Sequence, residues 1–305
     1  MKTTTFLLSI LFAGFFISCG EAELDLDSSD YDPKIVVEGY LIPGQTPSNI
    51  RISRNFPLNK PIDLTSVSLP AAMVLITRQT DNRQINLTYD PLTMSYRYAG
   101  TDFVTDHATS YQLTVSAVID GKPVTASAST TTPSAGFSIL DSVIPTNHLS
   151  YSAQSPDGTD SVFSIPFSPS SGIDFYALSI TAQDASIRSF IYSPVNRYED
   201  IAEKDSSKVR EDLNFRKYQS DAILNVPGSG LQKRDLEWFY FQFYGRYRII
   251  MYAMDVNAKN YFLTHKDVQD FDGNFVEPRM AIEGDGIGVF GSVIADTVYF
   301  NVLRP

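Results

Sequence analysis

Residues 111–130 read YQLTVSAVIDGKPVTASAST, and they carry the clearest structural signal in the chain. The odd-numbered residues from Tyr111 to Ala117 are aromatic or aliphatic and alternate with polar neighbours, as expected for a strand with one buried face. Asp120 and Gly121 then supply a two-residue turn that tolerates positive φ angles. The segment therefore predicts a β-hairpin.

Tyr111 gives this hairpin a wider structural context. It opens the first strand and is followed by apolar residues at steps of two, which resembles the tyrosine corner of immunoglobulin-like and fibronectin-type sandwiches. Residues 34–132 contain about seven short segments of strand character, separated by turn signals. Together these features predict a mainly β protein that begins with an immunoglobulin-like or fibronectin-like β-sandwich over residues 33–133.

The end of this sandwich is predicted from residues 130–134, TTTPS, because Pro133 lacks the N–H group that a central strand needs. Beyond it, residues 134–305 predict a second β-rich domain with one or two helices. Residues 186–192 and 237–244 are among its predicted strands.

Two segments of the second half have helical character. Residues 255–271 predict a helix with Asp255 or Asn257 as its N-cap and with Phe262 as a packing position. Residues 198–219 are rich in charged residues and poor in apolar ones, so they predict either a surface helix or a mobile insertion. Composition does not decide between these two structures.

The N-terminus predicts export and lipidation. Residues 1–18, MKTTTFLLSILFAGFFIS, combine Lys2 with an apolar run too short to span a membrane, as in a secretory signal peptide. The end of this segment and Cys19 resemble the lipobox of bacterial lipoproteins, where cleavage precedes a cysteine that is then acylated. Cys19 is the only cysteine, so there is no internal disulfide framework. The alternative is an ordinary signal peptide with an incidental cysteine.

Residues 19–32 predict an acidic tether. They carry several Asp and Glu residues and no basic residue, and like charges at this density extend a linker and repel anionic lipid head groups. Acidic residues close behind a lipidated cysteine also resemble the surface-export signal of Bacteroidota lipoproteins. We therefore expect a lipid anchor in the outer membrane with the folded part on the cell surface. A solvated spacer without an export role is the alternative.

Composition excludes one class of partner. The chain has 24 Lys and Arg against 35 Asp and Glu, a net charge of −11, and it has no basic run. It therefore lacks the positive surface that nucleic-acid binding requires. After the signal peptide, the longest apolar candidate for a membrane span is residues 238–252, which is interrupted by Gln242, Gly245 and two arginines.

A glycine motif near the C-terminus invites a cofactor interpretation. Gly286, Gly288 and Gly291 match G-x-G-x-x-G letter for letter. A dinucleotide site needs a helix after these glycines, whereas residues 292–302, SVIADTVYFNV, alternate like a strand. The glycines therefore predict a turn or bulge leading into a last strand, and we expect no bound cofactor.

One short segment is a candidate metal site. Asp270, Asp272 and Asn274 place oxygen ligands at alternate positions, which suits Ca²⁺. Gly273 comes too early for an EF-hand loop. A surface turn at Asp272-Gly273 explains the same residues, so the calcium site and the turn both remain open.

The sequence contains no recognisable catalytic motif. His107, His148 and His265 are the only histidines, and none has a second ligand at metal-binding spacing. H-E-x-x-H, G-x-S-x-G and Walker-type motifs are absent from the sequence. Acidic residues are numerous, but no particular pair is marked out for catalysis. We therefore predict that the protein is not an enzyme.

Residues 238–254, WFYFQFYGRYRIIMYAM, are unusually rich in aromatic side chains. Alternating aromatic residues can line a ligand platform or a protein interface. The alternative is a pair of core strands linked by Gly245. The sequence therefore identifies no ligand-binding residue, and from the sequence alone the ligand-binding residues are unknown.

Several stretches together resemble one family, the domain-of-unknown-function family 4249 of Bacteroidota lipoproteins. Besides the lipobox-like start, they are IVVEGYL (35–41), PSNIRISRNFPL (47–58), YQLTVSAVIDGKPVTAS (111–127) and EPRMAIEGDGIGVFGS (277–292). The last stretch is similar to the family's closing pattern E-G-G-x-G-x-F-G, with Asp285 where a second glycine is usual.

The resemblance implies a function without naming a site. Members of this family resemble outer-membrane lipoproteins and are often encoded beside TonB-dependent receptors. This implies a lipid-anchored, ligand-binding accessory of such a receptor, with the membrane and the receptor as its partners. A structural or adhesive lipoprotein of the cell envelope, without an uptake role, is the alternative.

Overall fold

The computed structural model describes residues 31–57, 62, 66–140, 149–150, 162–191, 206–265 and 278–304. Residues 33–55 and 64–305 belong to one compact unit. The signal peptide, Cys19 and most of the acidic tether lie outside the described residues, as do the calcium candidates Asp270, Asp272 and Asn274. The interpretations of these segments therefore remain predictions.

Strands dominate the described residues, as the sequence predicts, and two α-helices accompany them. The strands are β1 (Ile35–Leu41), β2 (Arg51–Arg54), β3 (Met73–Arg78), β4 (Arg83–Asp90), β5 (Ser95–Arg97), β6 (Ser110–Ile119), β7 (Lys122–Thr131), β8 (Ser138–Ile139), β9 (Leu149–Ser150), β10 (Val162–Ser168), β11 (Tyr176–Ala182), β12 (Tyr218–Ile223), β13 (Gln232–Glu237), β14 (Gly245–Met254), β15 (Glu283–Gly284) and β16 (Gly286–Leu303). The helices are α1 (Ser206–Lys217) and α2 (Val256–Thr264).

These strands form three sheets. The six-stranded sheet has the order β15-β7-β6-β3-β4-β5, and the three-stranded sheet has the order β13-β10-β8. The seven-stranded sheet has the order β12-β11-β14-β16-β1-β2, and β9 also pairs with β16. Within the described part of the chain, the pairs β1–β16 and β9–β16 are parallel and the other strand pairs are antiparallel.

The long strand β16 changes its neighbour partway along its length. Its residues 286–292 pair with β1, and its residues 293–302 pair with β14. The first half therefore extends the β1–β2 part of the sheet, and the second half extends the β14–β11–β12 part. One strand joins the two ends of the seven-stranded sheet.

Two hydrophobic cores follow from this arrangement. The N-terminal core lies between the six-stranded sheet and the β2–β1–β16 part of the seven-stranded sheet, and it contains Val37, Val115 and Phe290. The C-terminal core lies between the three-stranded sheet and the β16–β14–β11 part, and it contains Phe167 and Phe300 among many aromatic residues. The sandwich arrangement expected from the sequence is thus found.

The two cores separate between residues 128 and 137, but the sheets cross that point. β16 contributes Phe290 to the N-terminal core and Phe300 to the C-terminal core, and β15 pairs with β7. The division into domains 33–133 and 134–305 therefore stays a prediction.

The predicted hairpin is present as β6 and β7. Asp120 and Gly121 form its turn with φ angles of 51° and 80°, as a two-residue turn of this kind requires. The buried hydroxyl of Tyr111 accepts a hydrogen bond from the backbone N–H of Asp106 at 2.7 Å. This bond reaches back a few residues along the chain, as in a tyrosine corner.

Two predicted strands of the second half are wrong. In residues 186–192, Ser186 caps a short 3₁₀ turn at Ile187–Ser189. In residues 237–244, a 3₁₀ turn at Trp238–Tyr240 places Trp238 and Phe241 in the same core, a spacing of three that a strand cannot provide. Of the turn residues only Trp238 is buried, and Phe239 is exposed, so the aromatic pattern alone does not distinguish a strand from this turn.

The glycine motif begins a strand, as predicted: residues 286–303 form the single strand β16, where a dinucleotide site would have a helix. Gly288 has a φ angle of 109°, and a β-carbon there would lie 2.1 Å from the carbonyl oxygen of Val37. The glycine is needed for the close parallel approach of β1 and β16. Asp285, directly before this motif, accepts a hydrogen bond from the N–H of Thr125 at 3.1 Å.

Candidate functional site: an uncharged cavity at the joint of the two cores

A cavity of about 580 Å³ lies where the two ends of the seven-stranded sheet meet. Three elements enclose it: the end of β1 with the loop to β2, the β11–β14 surface that faces away from the C-terminal core, and helix α2. The residues that line the cavity therefore come mainly from three separate parts of the sequence: near residue 40, near residue 179 and within residues 252–265. A second cavity, of about 410 Å³, lies elsewhere, against Thr132 and Ser171.

The first wall comes from the N-terminal half. Tyr40 lies near the end of β1, and the following loop contributes Ile42, Gln45 and Asn49, among others. This loop is fixed from beneath by buried Thr105, whose N–H donates to the carbonyl of Gln45 at 3.0 Å and whose carbonyl accepts from Gly44 at 2.7 Å. The polar side chains of the loop are thus carried on an ordered backbone.

The second wall is the face of the sheet opposite the C-terminal core. Met251 and Ala253 on β14 point into that core, so Tyr252 and Met254 point the other way, toward the cavity. On β11, Ser179 is placed in the same way, since its neighbour Ile180 is fully buried in the core. The alternation of a strand thus supplies both a core face and a cavity face.

Helix α2 forms the third wall. Ala258, Tyr261, Phe262 and His265 are spaced i, i+3, i+4 and i+7, so they lie on one face of the helix, and all four line the cavity. The rings of Tyr261 and His265 are stacked, with centroids 5.3 Å apart. Phe262 packs on Phe175 with a centroid distance of 5.6 Å. The aromatic surface of α2 is therefore held in place by ring contacts.

Asp255 holds this helix against both cores. Its carboxylate accepts hydrogen bonds from the N–H of Ala258 at 2.9 Å, the N–H of Ser292 at 3.0 Å and the hydroxyl of Thr130 at 2.6 Å. As predicted, it is the N-cap of the helix. Asp255 is only 4% exposed, and this burial raises its pKa although the three hydrogen bonds oppose the shift.

Asn257, the alternative N-cap predicted from the sequence, binds two neighbouring strands instead of capping the helix. Its side-chain amide donates to the carbonyl of Ser129 at 2.6 Å and to the carbonyl of Phe290 at 3.0 Å. Asp255 and Asn257 therefore connect α2 to β7 and β16 together.

Several polar groups of the cavity have no hydrogen-bond partner among the described residues. The hydroxyls of Tyr40, Tyr252 and Tyr261 make no hydrogen bond with the described residues, and the same is true of the side chains of Gln45 and Asn49. Burial raises the pKa of Tyr40 to about 12, with smaller contributions from Tyr261, Glu38 and Asp255. Tyr40 is therefore a hydrogen-bond donor at any physiological pH.

One ring nitrogen of His265 is engaged by the end of helix α2. Its Nδ1 lies 3.0 Å from the carbonyl oxygens of both Tyr261 and Phe262, which can only accept. Nδ1 must therefore carry a proton, and in the neutral ring Nε2 is left as an acceptor. Nε2 has no partner among the described residues.

Among the described residues that line the cavity, none is Asp, Glu, Lys or Arg. Two carboxylates that act on Tyr40 lie outside the lining: Glu38 is on the surface, paired with Arg51 at 3.3 Å, and Asp255 lies beneath the start of α2. This contrasts with the chain as a whole, which carries a net charge of −11. The interior of the site is therefore uncharged in a strongly acidic protein.

The sequence-based candidates meet this site only in part. Residues 238–254 place Trp238, Phe241 and Phe243 in the C-terminal core, which is the core alternative, whereas Tyr252 lines the cavity. Of the histidines, His265 lines the cavity and His107 lies elsewhere, with Nδ1 3.2 Å from the carbonyl of Pro133.

Sequence reasoning missed the residues from β1, its loop and β11. The only signals available were the i, i+3, i+4, i+7 spacing on α2 and the polar loop after β1. The sequence does not indicate that helix α2 and the loop after β1 are close together, because their contact depends on β1 and β14 pairing with the same strand, β16.

The described residues contain neither a metal-binding cluster nor a membrane-spanning helix. No group of three or more His, Cys, Asp or Glu side chains is arranged to hold a metal ion there. No helix in that part of the chain has the length and apolar character to span a membrane.

Comparison with known proteins gives a family. The family described as Domain of unknown function (DUF4249) matches residues 21–297, which confirms the resemblance seen in the sequence. No curated protein matches the sequence. Among solved structures, Escherichia coli alpha-2-macroglobulin activated by porcine elastase is similar at 11% identity, over 90% of this chain and 22% of that chain, with a TM-score of 0.19. That likeness carries no argument about fold or function. Because the family match spans most of the sequence, the chain belongs to the DUF4249 family.

Proposed function

We propose that this protein is a lipid-anchored, ligand-binding module of the bacterial outer membrane that works with a TonB-dependent receptor. The observation that carries the proposal is the cavity at the joint of the two cores. Its volume of about 580 Å³ is in the range of small-molecule sites, which are typically concave, mostly apolar and equipped with a few convergent polar groups.

The polar groups of the cavity favour a ligand over a purely structural role. The tyrosine hydroxyls and the loop amides converge on one space without partners among the described residues. The tyrosines are half-buried and the two loop residues are exposed, so these groups are open to hydrogen bonds with an incoming molecule. The cavity therefore has the composition of a small-molecule site.

The location rests on the N-terminal sequence. An acylated Cys19 would fix the protein to a membrane, and the acidic residues 19–32 would hold the folded body away from it. The partnership with a receptor rests on the family's frequent association with TonB-dependent receptors. Capture of the ligand before its transfer to such a receptor is the role that combines these points.

An affinity purification tests this function. The full chain, tagged at its C-terminus and extracted from the outer membrane of its own host, should co-purify with a TonB-dependent receptor in near-equal amounts. The Cys19→Ala chain, which cannot be acylated, is the matched control and should recover much less receptor. An acylated protein that recovers no such receptor would contradict the partnership.

The alternative, a structural or adhesive lipoprotein, makes a different prediction for a gene deletion. It predicts unchanged nutrient uptake with altered adhesion or envelope integrity. The proposed function predicts reduced uptake of at least one nutrient with normal adhesion.

A further inference from the structure

We propose that the ligand of this cavity is an uncharged molecule with an apolar ring body and one N–H or O–H group that donates to Nε2 of His265. This inference deepens the proposed function and rests on it, since it assumes that the cavity is the ligand site. Three features of the cavity lead to it.

The first feature is the uncharged lining. The described lining residues include no Asp, Glu, Lys or Arg, and the Tyr40 hydroxyl, with a pKa of about 12, stays neutral. A charged ligand would lose its hydration on entry without gaining an opposite charge, which is strongly unfavourable. Glu38, outside the lining, is paired with Arg51 at 3.3 Å and offers no free charge to the cavity. The cavity therefore selects against ions.

The second feature is the shape of the apolar surface. Ile42 and Met254 stand on two walls, and Phe262 and the stacked Tyr261–His265 pair form a continuous aromatic surface on the third. Ring faces pack well on aromatic surfaces of this kind. A flat ring body fits this enclosure better than a flexible polar chain.

The third feature is the arrangement of donors and acceptors. The Nδ1 contacts of His265 leave Nε2 as an acceptor in the neutral ring. The nearby tyrosine hydroxyls can serve as donors. The ligand therefore needs a donor at the His265 end of the cavity, and it can place an acceptor toward Tyr40 or Tyr252.

Two fluorescent probes of matched shape test the charge requirement. N-phenyl-1-naphthylamine is uncharged, has two aromatic ring systems and carries one N–H donor. 5-Anilino-1-naphthalenesulfonate has the same frame with a sulfonate on the other ring, where it cannot bind the N–H group. The protein is the chain from residue 19 with Cys19→Ser, which removes only the acylation point, so that no detergent competes for the probes. We expect the uncharged probe to bind at least about ten-fold more tightly than the anionic one.

Variants locate the binding and test the role of charge. Ser179→Phe fills the cavity and should abolish binding of the uncharged probe. The control Thr297→Phe adds the same side chain on the same sheet face outside the cavity and should leave binding unchanged. Ile42→Lys places a cation at the rim and should strengthen binding of the sulfonate probe by about five-fold.

The donor requirement has its own test. His265→Phe keeps an aromatic ring but removes the acceptor, so the uncharged probe should bind about three- to ten-fold more weakly. In 1-benzylnaphthalene a CH₂ group replaces the N–H. This compound should have the same affinity for the wild type and for the variant, measured by displacement of the fluorescent probe from each protein. Equal loss of affinity for both compounds would overturn the role of His265.

The outcomes separate the two proposals. If both probes bind the wild type equally well and Ser179→Phe abolishes both, the cavity binds ligands but the inference about charge is wrong. If neither probe responds to Ser179→Phe while the variant keeps the wild-type circular dichroism, the cavity is not a binding site and the proposed function loses its support as well.

Discussion

The N-terminal core is assembled mainly from strands that are neighbours in the sequence. The C-terminal core is assembled from strands that lie far apart in the sequence. β3 and β4 pair across a short turn, as do β6 and β7. In contrast, β10 pairs with β13 in a register that places Val162 opposite Glu237. Even so, neither core is complete without β16, which supplies Phe290 to one and Phe300 to the other. Local assembly alone therefore does not make a half independent.

The first prediction removes the two aromatic side chains by which β16 enters the cores. Phe290→Ala and Phe300→Ala each delete a fully buried ring, and each should lower the free energy of unfolding by about 3–5 kcal/mol. The only tryptophan, Trp238, lies in the C-terminal core, so its fluorescence reports on that core. If β16 couples the cores, Phe290→Ala should shift the tryptophan transition and the circular-dichroism transition by the same amount.

Separate transitions in Phe290→Ala would contradict this coupling. In that case the tryptophan signal would keep its wild-type midpoint while part of the circular-dichroism signal unfolded earlier. Phe300→Ala, in the same core as Trp238, is the matched control in which the tryptophan transition must shift.

The second prediction concerns the contact that links the cores at α2. Asp255→Ala leaves the N–H groups of Ala258 and Ser292 and the hydroxyl of Thr130 without their acceptor. The expected loss is about 2–4 kcal/mol in a urea unfolding experiment. Asp255→Asn keeps one oxygen for the N–H groups, and its amide can donate to Thr130, so its loss should be much smaller. Equal losses in the two variants would contradict this account.

We also expect the stability difference between the wild type and Asp255→Asn to depend on pH. Burial raises the pKa of Asp255 in the folded state above its unfolded value, so protonation favours folding. The stability from this group is therefore greatest below its unfolded pKa and is lost as the pH rises through its folded pKa. Asparagine cannot ionise, so Asp255→Asn lacks this loss. The stability difference between wild type and variant should shift in favour of the variant as the pH rises from about 4 to 8.

The third prediction compares one tyrosine in each core. Tyr111 accepts a hydrogen bond from the N–H of Asp106 at 2.7 Å, and Tyr176 accepts one from the N–H of Ser170 at 2.8 Å. Replacing either by phenylalanine leaves a backbone donor without its acceptor. Each variant should lose about 1–2 kcal/mol in chemical denaturation. A loss confined to Tyr111→Phe would mean that this type of contact matters only in the N-terminal core.

The smallest change is expected at the hairpin turn. Gly121→Ala meets no atom within 4 Å, but it places a side chain on a residue with a φ angle of 80°. The cost should be about 1 kcal/mol, measured by thermal unfolding. Gly288→Ala, where the added β-carbon would meet the backbone of Val37, should cost clearly more. A similar cost at both positions would contradict the close approach of β1 and β16.

The N-terminal core was largely predictable because its signals are local. The alternation in β6, the Asp120-Gly121 turn and the Tyr111 corner act within about twenty residues. The C-terminal core was less predictable, since the aromatic residues 238–244 pack in a 3₁₀ turn rather than a strand. The cavity could not be predicted, because Tyr40, Ser179 and His265 meet only through the order of the strands around β16.

The most direct test of the central claim is a crystal structure of the chain from residue 19, with Cys19→Ser, bound to N-phenyl-1-naphthylamine. The account predicts the probe between the loop after β1 and helix α2, with its rings against Phe262 and its N–H group within hydrogen-bonding distance of Nε2 of His265. A probe bound anywhere else, with this cavity empty, would contradict the claim that the joint of the two cores is the ligand site.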